Sequence, residues 1–476
     1  MSRRLAAGLL AALALAGCKT VGPDYHLPSQ ATVKAPAAQG GFVGAQANPA
    51  VSQAPLPLDW WRLYDDLRLD GLIGQAFAAN TDLRIAEANL ERSHALLAEA
   101  QAARRPNLTF NFDPAYAQLS AQQYLQTAAV PAMGLYDVGL SLSYQLDLFG
   151  GIRRGIEAAK ADDEAVEAAR DLARVNVAAE VMRAYVDVCG GGAELAAARR
   201  ALDLQQRSLA LTQRLTRAGR GVSLDVTRSQ GQIELYRANI PALLARQRNA
   251  VFRLATLTGR PPAAFDASLE ACAAPPALRA PIPVGDGAAL LARRPDVRAA
   301  ERRLAASTAT IGVRTAALYP NVALGGSIGS TGAMSSALSD LTNRYAVGSN
   351  ITWRLDHTAD RARIEQAQAQ ARADLARFDG TVLTALREVE SALNTYSHDL
   401  DRDANLRAAQ ASARQALADA RRLQASGRTG ALATLDAERT LASTDLAVAA
   451  SQSQLAADQV GLFLALGGGW ETAAAR

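Results

Sequence analysis

Aromatic residues make up only 5% of this 476-residue chain, which also holds just three cysteines, four histidines and four methionines. Histidines and thiols so few and so isolated give no zinc-type ligand spacing, so no metal is expected. Charge of one sign is also missing. Fifty Lys and Arg against 46 Asp and Glu leave +4, and the two signs interleave as on solvated helix faces, without a nucleic-acid footprint. Past residue 18 there is no apolar run of transmembrane length, so a membrane crossing would have to be a β-barrel. No nucleophile–base–acid set stands out. Gly325-Gly326-Ser327-Ile328-Gly329 superficially suggests a phosphate loop, but no Gly-Lys-Ser/Thr follows and the segment lies in a strand pattern. The chain is therefore expected to be no enzyme and to carry no cofactor.

What is abundant is alanine with Leu, Arg, Gln and Glu, the composition of long helices. The chain begins with a targeting pattern: Arg3 and Arg4, then an apolar stretch Leu5 to Ala16, then Leu15-Ala16-Gly17-Cys18. That is lipobox spacing, with cleavage at Gly17–Cys18 and a diacylglycerol on the Cys18 thiol. Acyl methylenes at roughly 0.8 kcal/mol each would anchor the mature N-terminus. An address outside the cytosol permits a disulfide between Cys189 and Cys272; two unpaired thiols are the plainer expectation.

The chain is written twice. Asp82 to Asn107 aligns without a gap to Asp296 to Asn321 at an offset of 214, with eleven of 26 positions identical. The matches include Asp82/Asp296, Arg84/Arg298, Glu87/Glu301, Pro106/Pro320 and Asn107/Asn321. Further on the offset is 208: Arg214-Leu215 matches Arg422-Leu423, Gly219-Arg220 matches Gly427-Arg428, and Gly259 matches Gly467. The organisation expected is a signal peptide at 1–17, a lipidated linker at 18–58, a first repeat at 59–258, a Pro/Ala-rich bridge at 259–285, a second repeat at 286–467 and a tail at 468–476.

Each repeat is expected to run helix, strand, loop, strand, long helix, turn, long helix. First helices are placed at about Leu67 to Arg104 and Asp286 to Leu318, ended by Pro106 and Pro320. Strands are placed at about 106–117, 136–147, 319–328 and 345–355. Leu108, Phe110 and Phe112 alternate with Thr109, Asn111 and Asp113, and Leu140, Leu142 and Tyr144 with Ser141, Ser143 and Gln145. Four such segments in matching places fit a transmembrane barrel better than a soluble sheet. Tyr136, Tyr144, Tyr345 and Trp353 are candidates for the membrane interface or for ordinary packing. Four strands cannot close a barrel, and open edges in lipid leave backbone groups unpaired at several kcal/mol each. Several chains must then share one barrel.

The segments Arg153 to Arg217 and Arg361 to Ser426 contain no proline and as helices would each span roughly 100 Å. Leu195, Leu202 and Leu209, and Leu441, Val448, Leu455 and Leu462, recur every seven residues as coiled-coil seams. Gly219 to Gly221, and Gly427 with Gly430, are placed at the hairpin turns. Gly190-Gly191-Gly192 falls inside the first long helix at about 1 kcal/mol each, so a bend or break is expected there.

With these residues in view, the chain resembles the TolC/OprM-like outer-membrane efflux lipoproteins of resistance-nodulation-division pumps over nearly its whole length. The marks are Cys18-Lys19-Thr20-Val21-Gly22-Pro23-Asp24-Tyr25, Trp60-Trp61, Asn80-Thr81-Asp82-Leu83, Asp147-Leu148-Phe149-Gly150, Gly259-Arg260-Pro261-Pro262 and Arg293-Arg294-Pro295-Asp296-Val297-Arg298. The resemblance implies a mainly α fold with a membrane β-barrel portion: a homotrimer in which four strands per chain share one barrel and long α-hairpins form a periplasmic α-barrel. It implies outer-membrane delivery, to which Lys19 after the cysteine also points. The implied partners are a periplasmic adaptor and an inner-membrane proton-driven transporter. Loops 118–131 and about 329–344 would face outside. The tips, Gly219, Arg220, Gly221, Ser223 and Leu224 with Gly427, Arg428, Thr429, Gly430 and Leu432, would meet the adaptor. Thr434-Leu435-Asp436-Ala437 matches the family's aperture segment, so Asp436 is the candidate for a carboxylate ring; an exposed Asp paired with Arg439 is the alternative. Asp225 in the first repeat is a second candidate, paired with a neighbouring arginine. Ala433 stands where some relatives have another aspartate, and Asp356-His357-Thr358-Ala359-Asp360 lacks the glycines often found at that corner. A protein-secretion duct and a pore-free coiled-coil lipoprotein are the rival readings.

Overall fold

A computed structural model describes residues 20–46, 48–122, 125 and 127–470. The signal segment and Cys18, and residues 471–476 of the tail, lie outside the described residues.

Each repeat builds the same order of elements. The first contains α1 (Leu67–Ala79), α2 (Thr81–Ala102), β2 (Asn107–Ala117), β3 (Met133–Leu146), α3 (Gly151–Arg217) and α4 (Ser223–Leu257). The second contains α5 (Gly287–Arg293), α6 (Pro295–Ala316), β5 (Asn321–Ala333), β6 (Asn343–Thr352), α7 (Thr358–Ala425) and α8 (Ala431–Ala465). Two short parallel strands, β1 (Val51–Ser52) and β4 (Ile282–Pro283), join the N-terminal segment to the bridge.

The single first helix expected in each repeat is in fact two. Asn80 takes an extended backbone after α1, and its side-chain oxygen accepts from the amides of Asp82 at 2.8 Å and Leu83 at 3.3 Å, an N-cap that opens a new helix. In the second repeat Arg294 is extended after α5, because Pro295 excludes helical geometry at the residue before it. Strand β3 begins earlier and strand β5 ends later than the alternation indicated, each running further towards the loop of its own hairpin. The second loop accordingly shrinks to 334–342.

The chain divides into two compact units, each taking segments from both repeats. One comprises the residues up to Pro28 with Leu90–Val166 and Ala300–Phe378. It holds the four-stranded antiparallel sheet, in the order β2-β3-β5-β6. The N-terminal motif is built into this unit. The Val21 amide donates to the Phe149 carbonyl at 3.1 Å, and the Arg154 guanidinium reaches the Gly22 carbonyl at 3.2 Å and the Asp24 carboxylate at 2.7 Å. The Gly22 backbone has φ of +85°, and a Cβ there would meet Gly312 Cα at 2.3 Å. Asp147 caps α3 by accepting from the Ile152 and Arg153 amides. Asp356 does the same for α7 through the Thr358 amide, which is how that corner forms without the glycines.

The other unit comprises Ser29–Asn89, Glu167–Ala299 and the chain from Asp379 on. Its core packs aliphatic faces of α1, α3, α4, α7 and α8 around Trp60, which stacks on Phe463 at 4.5 Å. Of the heptad positions, Leu195, Val448 and Leu462 are buried, while Leu202, Leu209, Leu441 and Leu455 are half-buried.

Two expectations are corrected here. Helix α3 runs unbroken through Gly190–Gly192, and the glycines serve close packing. A Cβ on Gly190 would meet Ser453 Oγ at 2.5 Å, one on Gly191 the Gln247 Cβ at 3.3 Å, and one on Gly192 the Cys272 carbonyl at 1.9 Å. Cys189 and Cys272 are not free thiols but a disulfide, with Cα atoms 4.7 Å apart. The missing side chain at Gly192 is what lets the bridge lie close enough to α3 for the bond.

Candidate channel site

The two hairpin tips repeat each other. At the end of α3 the Arg220 amide donates to the Leu215 carbonyl at 2.9 Å and the Gly219 amide to Thr216 at 3.0 Å. At the end of α7 the Arg428 amide donates to Leu423 at 2.9 Å and Gly427 to Gln424 at 3.0 Å. Gly219 and Gly427 both have φ of +70°, the left-handed residue that closes such an end and that glycine adopts without steric cost. Ser223 and Leu224 open α4, and Gly430 caps α8. Arg220, Gly221, Ser223, Leu224, Arg428, Gly430 and Leu432 are exposed and Thr429 half-buried. The expected tip residues therefore form two small, accessible turns edged by Val222, Leu224 and Leu432.

Asp436 lies in the second turn of α8 and is exposed, whereas its neighbours Thr434, Leu435 and Glu438 are buried. Among the described residues Asp436 has no ion-pair partner, so the Arg439 pairing does not occur. Asp225 is half-buried in the first turn of α4, and among the described residues no arginine pairs with it either. The offset of 208 that superposes the tips sets Asp225 over Ala433 and Asp436 over Arg228. The two aspartates are thus not equivalent, and the structure does not join them in one contact.

Sequence reasoning missed the polar groups that hold the second hairpin together. Glu438 is buried against Arg421 at 3.1 Å, and Asp445 accepts from Gln410 at 2.6 Å. Further along α8, burial and the neighbouring Asp399 push the Asp458 carboxyl up to about 6. Gln454 donates to it at 2.8 Å. Acids facing across two long helices were detectable only once the register of α7 on α8 was known.

The Arg294-Pro295-Asp296 motif proves to be a helix-end clamp. Arg294, 9% exposed at its side chain, binds Asp296 at 2.7 and 2.9 Å, Glu388 at 2.9 Å and the Ala465 carbonyl at 2.7 Å. Burial opposes its charge, but the two carboxylates more than offset that and hold it above its ordinary range.

The sheet is a second candidate surface, in the other unit. Leu108, Phe110 and Phe112 on β2 and Tyr345, Val347 and Ile351 on β6 are exposed on one face, with Val347 at 90% and Phe110 at 65%. The opposite face carries Asn107, Thr109, Asn111, Ser141, Ser143 and Ser327, registered against small partners. Strands β2 and β6 each pair on one side only. Of the aromatic candidates, Tyr136 is packing, its hydroxyl bonded to Ser330 at 2.6 Å and Thr342 at 3.0 Å. Tyr345 and Trp353 are exposed and Tyr144 half-buried.

A sheet that turns apolar side chains outward, polar ones the other way and leaves both edges free, in one chain with two long helical hairpins, defines a subunit of a TolC-like outer-membrane channel. Among the described residues no helix is long and apolar enough to cross a membrane. The family model described as Outer membrane efflux protein matches residues 72–260 and 288–468, and the chain belongs to that family. It is 33% identical over 472 residues to Outer membrane protein OprJ of Pseudomonas aeruginosa, covering 97% of this chain and 95% of that protein. It is 29% identical over 476 residues to Nodulation protein T of Rhizobium leguminosarum bv. trifolii, covering 97% of each. Among solved structures, the outer-membrane channel OprN is 35% identical with a TM-score of 0.86, over 94% of this chain and 99% of that one. The chain is an outer-membrane efflux channel protein.

Proposed function

We propose that the chain acts as a homotrimer whose three sheets close a twelve-stranded pore, and that this pore passively conducts small toxic compounds or drugs outward. The observation that carries the reading is the pair of unpaired edges, β2 and β6, on a sheet whose apolar face is exposed. Edge pairing between copies removes the penalty of bare backbone groups in lipid. Energy comes from an inner-membrane proton-driven transporter of the resistance-nodulation-division class, reached through a periplasmic adaptor that binds the two tips. The protein itself performs no catalysis and needs no cofactor beyond the covalent lipid on Cys18. A heat-stable trimer on semi-native gels and discrete conductance steps in planar bilayers test the duct; a monomer without conductance overturns it.

Asp436, exposed and unpaired in the single chain, supplies one carboxylate per subunit to a ring at the periplasmic aperture, with Asp225 contributing to closure of the tips. Such a ring attracts cations and narrows the resting pore. Asp436→Ala is expected to raise resting conductance and sensitivity to large antibiotics. Unchanged values for both count against the ring.

A further inference from the structure

Three charged side chains occur in the four long strands: Asp113 on β2, Asp137 on β3 and Arg344 on β6. All three lie on the polar face and near the loop end of the sheet. Asp113 is registered directly against Asp137, and like charges set opposite each other disfavour a sheet. Arg344 answers this from two strands away. Its guanidinium forms an ion pair with Asp137 and its Nε donates to Thr331 Oγ1 at 2.8 Å. The path is kept open by Gly139 and Gly329, which face each other in register. A Cβ on Gly139 would lie 3.2 Å from Arg344 Nη2, and one on Gly329 3.3 Å from its Cζ. Among the described residues Asp113 has no ion-pair partner. The remainder of this face consists of uncharged residues, chiefly Asn, Thr, Ser, Gly and Ala.

From this geometry we infer that Asp113, Asp137 and Arg344 form a charge girdle in the pore, net negative by one per subunit, that favours cationic over anionic cargo at the outer mouth. The inference rests on the trimeric duct proposed above, in which the polar face lines the lumen. Three copies give a ring of net charge about −3 at neutral pH, set between small uncharged walls that offer no competing field. Its reach is the screening length, roughly 3 Å at 1 M salt and 10 Å at 0.1 M. Selectivity from this source must therefore strengthen on dilution.

The test is the reversal potential of the purified full-length protein in planar bilayers under a KCl gradient. Each variant is compared with wild type, so that the constant contribution of Asp436 cancels. Arg344→Gln makes the girdle more negative and is expected to raise the cation-to-anion permeability ratio about twofold at low salt. Asp113→Asn is expected to lower it, Asp113→Asn with Asp137→Asn to lower it further, and Arg344→Lys to restore the wild-type value. Heat-stable trimer migration checks that each variant folds. Wild type that conducts, with folded variants sharing one reversal potential at both salt concentrations, overturns the girdle and leaves the duct standing. Wild type that forms no pore overturns the duct, and the girdle with it.

Discussion

Breaking the Cys189–Cys272 bond should loosen the bridge between the repeats by an amount that can be worked out. The bond spans 83 residues of sequence. Cross-linking a loop of that length removes chain entropy from the unfolded state worth about 4.5 kcal/mol at 25 °C on the loop-closure model. That corresponds to roughly three decades in the equilibrium for unfolding the whole enclosed segment and is a ceiling for any smaller opening. Cys272→Ser is the milder perturbation, since position 272 is half-buried while Cys189 is fully buried. What remains to hold the bridge is the Gln247 amide donating to the Glu270 carbonyl at 3.0 Å, the Arg248–Glu270 ion pair, buried Leu269 and the short β1–β4 pairing. The assay is local: hydrogen exchange at the amides of Ile282 and Val284, which donate to Ala50 and Ser52. Both should exchange faster in Cys272→Ser, by up to roughly three decades, and dithiothreitol should bring wild type to the same rates. Exchange rates that match in oxidised wild type and the variant refute the reasoning. So does wild type, denatured without reductant, that titrates with two free thiols from this pair.

Asp458, whose pKa is raised by burial and by Asp399, binds a proton more tightly folded than unfolded. Its contribution is fully favourable below pH 4 and is lost as pH rises through about 6. Asp458→Asn should therefore raise the thermal midpoint at pH 7.5, with the gain shrinking as pH falls from 6 to 4; a gain independent of pH defeats the assignment. Arg294→Ala leaves Asp296 and Glu388, both partly exposed, without their partner and removes the clamp on the Ala465 carbonyl, so a loss of about 1–3 kcal/mol is expected. A denaturant midpoint within error of wild type would contradict that. Cys18→Ser should abolish incorporation of labelled palmitate and release the mature chain from its lipid tether; label still entering the variant would disprove the lipobox.

Periodicity carried the architecture because it reports which residues share a face. Residues 107–112 alternate in sequence and on the sheet alike, and the Gly219 and Gly427 turns were marked by the one residue that takes φ of +70° freely. What stayed hidden depended on neighbours remote in sequence. Three glycines inside α3 look like a break when only the helix is considered. They become contact points once Ser453, Gln247 and Cys272 are brought against them. The Cys189–Cys272 bond, open as an alternative in the sequence, could not be decided there for the same reason, since spacing cannot say which elements cross. The split of the first helices at Asn80 and Arg294 could have been found: an Asn two residues before an Asp, and an Arg before a Pro, are both boundary signals. Of the candidate site, the tips apart from half-buried Thr429 are exposed, as is Asp436, while the Arg421–Glu438 and Asp399–Asp458 pairs needed helix register.

The same comparison shows what the internal repeat preserves. Asn80 and Arg294 correspond at the offset of 214, and Leu257 and Ala465 at 208. The Asn80 amide donates to the Leu257 carbonyl at 3.0 Å, and the Arg294 guanidinium to the Ala465 carbonyl at 2.7 Å. Two unlike side chains thus satisfy the same orphan carbonyl at the end of the last helix in each repeat, where no further intrahelical donor exists. Gly259 and Gly467 follow those helix ends with φ of +75° and +67°. In each case a Cβ would strike the neighbouring turn, at the Ala79 carbonyl oxygen or the Arg294 Cγ. Duplication has kept the geometric requirement, a donor at a helix terminus beside a residue without a side chain, and let the chemistry of the donor change. The amide in the first repeat is neutral and needs nothing further. The guanidinium in the second brings a charge into a buried place, and Asp296 and Glu388 are there to balance it. The two halves are therefore alike in fold yet unequal in sensitivity, and loss of Arg294 must cost more than loss of Asn80.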